Sequence, residues 1–111
     1  MMQPNKVRIG NIFKEEYTEK LIRVIEIRQK SITFNEKFRG KWQANPIELT
    51  DDILLKCGFV DNKINLGLNN FHVTTYGLAT YGNVGFVCMY LHQLQNLYYV
   101  ITGKELEVNL N

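Results

Sequence analysis

The chain has 111 residues, 45% of them hydrophobic and 22% charged, which suffices for one packed core but not two and excludes a disordered chain. One Trp, six Tyr and six Phe favour a strand-rich interior. The net charge of +2 hides an asymmetry of +5 over residues 1–41 and −3 over residues 42–111; that is either a basic face for nucleic acid or the solubilising use of Lys and Arg on sheet edges.

The opening Met1-Met2-Gln3-Pro4-Asn5-Lys6 is polar, with no apolar stretch behind it, which predicts no signal peptide. Val7 to Phe13 reads as a first strand with Gly10 as a bulge. Lys14 to Thr18 reads as a polar connection. Leu21 to Ile27 reads as a second strand. Its rival is a helix from Glu15 to Arg28, because Tyr17, Leu21, Val24 and Arg28 keep helical spacing. The strand is favoured because Ile22, Val24, Ile25 and Ile27 lose rotamer freedom in a helix. Ser31 to Phe34 reads as a third strand and Lys41 to Ala44 as a fourth, before Pro46 ends regular pairing.

Thr50 to Phe59 carries the clearest local signal. Thr50 can cap a helix, Asp51 and Asp52 suit its positive end, Lys56 suits its negative end, and Gly58 offers a left-handed stop. Residues 62–68 alternate, with Ile64, Leu66 and Leu68 on one face, and Asn69-Asn70 turns the chain into Phe71-His72-Val73. Thr75-Tyr76-Gly77 and Thr80-Tyr81-Gly82 form a short local echo. Val84 to Tyr90 reads as a buried strand. Leu91 to Thr102 reads as a helix with Leu91, Leu94, Leu97, Tyr98 and Ile101 on its apolar side, ended by Gly103. Leu106, Val108 and Leu110 alternate as a final strand.

Three blocks carry a resemblance: Leu91-His92-Gln93-Leu94-Gln95-Asn96-Leu97-Tyr98-Tyr99-Val100-Ile101-Thr102-Gly103-Lys104-Glu105-Leu106, the stretch Ile47 to Phe59, and Arg8-Ile9-Gly10-Asn11. Together they span about half the chain, and they resemble short uncharacterised proteins from Bacteroidetes genomes and their phages or mobile elements. The resemblance implies a phage-type or prophage accessory protein. It implies no activity, so no functional residue is carried over from it.

The reactive side chains are few. Ser31 is the only serine. Cys57 falls in the last helical turn, where the dipole disfavours a thiolate, and Cys88 falls in the most apolar stretch, so both read as inert thiols of a cytoplasmic protein in a bacterial host. His72 and His92 have no second ligand at zinc-site spacing. Adjacent Asp51 and Asp52 diverge on a helix and read as helix-start charges. No glycine-rich phosphate loop is present. The apolar run from Val84 to Leu91 is far shorter than the roughly 20 residues a membrane helix needs. No catalytic residue, metal or cofactor is therefore expected, and no membrane.

Two constellations remain. His92, Gln93, Gln95, Asn96 and Tyr99 on the polar side of the last helix offer hydrogen bonds with little charge, which suits either a recognition surface or backbone satisfaction where the helix crosses the sheet. Arg28, Lys30, Phe34, Lys37, Phe38, Arg39, Lys41 and Trp42 interleave cations with aromatics, as single-stranded nucleic-acid platforms do; the bland alternative buries Phe34 and Trp42 and solvates the cations. The expected fold is a single α+β domain over residues 1–111. Residues 7–45 would form a small bent antiparallel sheet or barrel, and residues 46–111 a short helix, a hairpin, a longer helix and a final strand. The expected function is a non-enzymatic interaction protein working through a protein partner or a second copy. A nucleic-acid-binding module is the alternative, and a small hydrolase using His92 is third.

Overall fold

A computed structural model describes residues 7–67 and 69–109. The polar start at 1–6, Leu68 and Leu110 lie outside the described residues. The fold is α+β, with two four-stranded antiparallel sheets and two helices among the described residues. The chain parts into two compact units, Met1–Ile47 and Glu48–Asn111.

The first unit contains β1 (Ile12–Glu15), β2 (Leu21–Ile27), β3 (Ile32–Phe34) and β4 (Ala44–Asn45), in the spatial order β3-β2-β1-β4. Strand β2 covers the predicted residues. Its alternation turns Ile22 and Val24 inward and Leu21 and Arg23 outward. The pairing slips between Val24 and Glu26, so Ile25 bulges out, bending the sheet. The first strand begins later than predicted. Gly10 takes φ +96°, a conformation that favours glycine, and it makes a turn before β1 instead of a bulge within it. The sheet is bent but open, since β3 and β4 are its two unpaired edges. Val7, Phe13, Ile22, Val24 and Phe34 form its core, with Ile27, Ile32, Phe38 and Ala44 packed around them. Phe13 meets Phe34 edge to face at 5.9 Å.

The fourth strand corrects the predicted range of residues 41–44. Lys41 and Trp42 belong to the loop, and pairing starts at Ala44 opposite Glu15. The cause is the Glu15 carboxylate. Residues 16–20 turn the chain from β1 to β2, and Glu15 is buried at the base of that turn. Oε1 accepts from Tyr17 N (3.0 Å), Thr18 N (2.9 Å) and Thr18 Oγ1 (3.0 Å), and Oε2 accepts from Gln43 N (3.0 Å). One side chain thus ties the β1–β2 turn to the incoming β4. Burial alone would raise its pKa. The four hydrogen bonds outweigh that and hold it down at about 2, since each favours the ionised form.

In the second unit, α1 (Asp51–Lys56) starts and stops where its local signals place it. Thr50 Oγ1 accepts from Ile53 N at 3.2 Å, and Lys56 pairs with Asp52 at 3.1 Å. Gly58 takes φ +90°, and Phe59 N donates to Leu54 O, which satisfies a helix-end carbonyl and buries Phe59. Strands β5 (Lys63–Asn65), β6 (Asn70–Val73), β7 (Leu78–Tyr81) and β8 (Val84–Val87) follow as a meander in chain order. Asn70 lies inside β6 rather than in the turn before it. The Thr-Tyr-Gly echo brackets β7, a strand absent from the prediction. Each of its glycines has positive φ, Gly77 before the strand and Gly82 after it.

Helix α2 (Leu91–Thr102) has the predicted bounds, and Gly103 closes it with φ +73°. Its buried side keeps the predicted Leu91 and Leu94 but takes in His92 and Gln95 in place of the rest. Leu91, His92, Leu94 and Gln95 are buried, while Leu97, Tyr98 and Ile101 are only half-buried. Among the described residues the predicted final strand does not form. Residues 104–109 are irregular, anchored by buried Leu106 and by Asn109 N donating to Lys56 O. The predicted buried strand Val84–Tyr90 is instead a shorter strand at the edge of the sheet, with Val84 and Val87 exposed.

Candidate functional site

The helix-borne residues do not make an open recognition surface. His92 and Gln95 are buried. The His92 ring stacks on Tyr90 at 6.0 Å, and burial lowers its pKa. Gln93 Oε1 reaches back to accept from Met89 N (2.8 Å) and Tyr90 N (3.2 Å), which caps the start of α2. Asn96 is half-buried, and of the five only Tyr99 is exposed. These polar groups serve the helix and its packing. Their apparent stripe misleads because two of its members, His92 and Gln95, are packed inside the fold.

The basic-aromatic residues of the first unit are brought together more closely. Phe34 meets Trp42 edge to face at 5.9 Å, and Phe38 stacks on Trp42 at 5.7 Å with ring planes 27° apart. Phe34 is buried and Phe38 half-buried, but Trp42 remains 43% exposed. Lys37, Arg39 and Lys41 are exposed beside them in the β3–β4 loop. Arg28 is spent on Glu26, at 3.0 Å.

A third feature was not anticipated. From Ile64 to Gly103 the sequence has no Asp, Glu, Lys or Arg, and that uncharged run includes the hairpin β7–β8, whose outer strand β8 is an edge of the sheet. Leu78 and Val87 face each other across the hairpin and are both exposed. Met89 lies 3.1 Å from where a Cβ on Gly77 would stand, and Tyr76 next to that glycine is 94% exposed. Tyr76, Leu78, Val87 and Met89 are thus exposed apolar side chains on and beside one hairpin whose own residues carry no charge. The long gap in charge was the signal, since solvent-facing strands ordinarily carry some.

Nucleophilic chemistry has little support. Burial pushes the Cys57 thiol up to about 11 and the Cys88 thiol up to about 12. Neither is expected to react with a disulfide reagent in the folded chain at neutral pH, and both should react once urea unfolds it. Rapid native-state labelling, read by thiol-release absorbance, would contradict this placement. His72 is exposed on β6. Among the described residues, no group of three His, Cys, Asp or Glu is arranged to hold a metal ion, and no helix is long and apolar enough to cross a membrane. A cleft of about 810 Å³ lies between the end of α1, β5 and the C-terminal segment. Lys56, Lys104, Glu105 and Glu107 line it with balanced charge.

Compared with protein-family models, with curated proteins and with solved structures, this chain finds no match.

Proposed function

We propose that the chain is a non-enzymatic accessory protein that docks onto a protein partner through the β7–β8 hairpin. The observation that carries this reading is the exposed apolar set of Tyr76, Leu78, Val87 and Met89 on and beside a hairpin whose outer strand, β8, is an edge of the sheet. Hydrogen-bonding geometry adds to it. Cys88 N donates to Gly77 O, so the antiparallel alternation turns the backbone groups of Gly85 and Val87 away from β7. Outward amides beside exposed apolar side chains suit an added strand. The phage or mobile-element setting, in the cytoplasm of a bacterial host, belongs to the same proposal and rests on the resemblance of the three sequence blocks.

The test is site-specific photo-crosslinking in cells. Benzoylphenylalanine in place of Tyr76 or of Val87 is expected to trap the same discrete product, absent when benzoylphenylalanine replaces Tyr17 in the first unit. A product of twice the chain mass identifies the partner as a second copy. Leu78→Asp should abolish the product while leaving the far-UV spectrum unchanged. Absence of a discrete product from both hairpin positions would refute the reading.

A further inference from the structure

We propose that the β3–β4 loop, residues 35–43, binds single-stranded nucleic acid, with the open part of Trp42 taking a base and Lys37, Arg39 and Lys41 taking phosphates. This site lies in the first unit and shares no residue with the hairpin patch, so it stands or falls separately.

Three observations support it. The first is unneutralised charge. Among the described residues, Lys37, Arg39 and Lys41 make no ion pair, whereas Lys14, Lys20 and Arg28 in the same unit are paired with Glu19, Glu36 and Glu26. The loop's one carboxylate, Glu36, is therefore already taken by Lys20, at 3.4 Å. Three exposed cations within five residues are thus without an ion pair among the described residues, which suits an anionic chain.

The second is the tryptophan itself. A core role for Trp42 would bury it, yet it is 43% exposed. Phe38 stacks against it and buried Phe34 abuts it edge-on, so the ring is braced by its neighbours while part of it stays open. A braced, partly open aromatic ring is the platform on which bases stack without sequence preference.

The third is preorganisation. The loop is pinned at both ends. At one end Asn35 N donates to Arg23 O, and Asn35 Oδ1 accepts from Arg23 N at 2.8 Å. At the other, Gln43 N donates to the Glu15 carboxylate and Gln43 O accepts from Glu16 N. Between them Gly40 turns the chain at φ +74°, with nothing within 4 Å of an added Cβ. A loop held in this way loses little entropy on binding.

Trp42 is the chain's only tryptophan, so its emission reports on the site directly. Titration with an oligothymidylate of about 12 nucleotides, a length within the usual footprint of such platforms, is expected to quench Trp42 at low salt. The affinity should fall with salt at a log–log slope of about −2, the value for three phosphate contacts on a single strand. The triple variant Lys37→Ala, Arg39→Ala, Lys41→Ala should bind at least about tenfold more weakly and lose most of that slope. Trp42→Ala, followed by anisotropy of a labelled oligonucleotide, should weaken binding by about tenfold, within the range for loss of one stacked base. No quenching at low salt would overturn the proposal. So would an unchanged affinity in the triple variant, or equal binding of heparin, which has phosphate-like charge but no bases.

Discussion

Phe13→Ala is expected to destabilise the first unit by about 3–5 kcal/mol, the usual cost of removing a buried aromatic ring from a core. Phe13 is fully buried, contributes to a cluster of only five buried residues, and meets Phe34 edge to face. So small a cluster has little else to compensate with, because short units bury too little surface to hold reserve stability. The ring contacts run from Phe13 through Phe34 to Trp42, which makes Trp42 emission the natural reporter. In urea the emission midpoint of Phe13→Ala should fall well below that of the wild type, and Phe13→Leu, which refills most of the space, should lose less. Equal midpoints for Phe13→Ala and the wild type would show that the cluster is not what holds this sheet together.

The second large effect is expected at Glu15. Glu15→Gln keeps the shape but replaces an acceptor-only group with an amide whose NH2 must face donors, since all four partners of the carboxylate are N–H or O–H groups. Loss of these bonds should lower the melting temperature by on the order of 5–10 °C. The pH dependence separates charge from shape. With its folded pKa depressed to about 2 from an ordinary 4.5, the carboxylate contributes stability that is fully present above pH 4.5. That contribution is lost as the pH falls through this interval toward 2, because the unfolded chain takes up the proton first. The wild-type urea midpoint should therefore drop across this window more steeply than that of Glu15→Gln. Parallel curves would mean that the carboxylate's charge is not coupled to folding.

The loop that Glu15 anchors also carries the proposed nucleic-acid site. Gln43 is the residue after Trp42, and its amide is held by the carboxylate. Glu15→Gln is therefore expected to weaken oligonucleotide binding through the position of the loop, without removing a contact to the ligand. The hairpin patch of the second unit offers a different kind of surface, uncharged and apolar. On this reading the two units divide the work, one toward an anionic strand and one toward a protein.

What the amino-acid order determined by itself was set by short-range chemistry. Thr50, Asp51, Lys56 and Gly58 mark the ends of α1, Gly103 ends α2, and the β-branched run of Leu21–Ile27 is a strand despite its helical spacing. Each of these depends on groups within a turn of one another, so it is legible along the chain. The tertiary structure alone decided which faces meet water. Val84–Val87 is as apolar as a central strand yet lies at an edge, because apolarity does not say how many neighbours a strand will find. His92 and Gln95 look like a solvent-facing polar stripe yet are buried, because their packing comes from elements distant in the chain. Glu15 reads as part of a polar connection, and only the return of Gln43 from 28 positions away makes it the buried anchor of the first unit. Long-range contacts choose among the faces and edges that local preference leaves open.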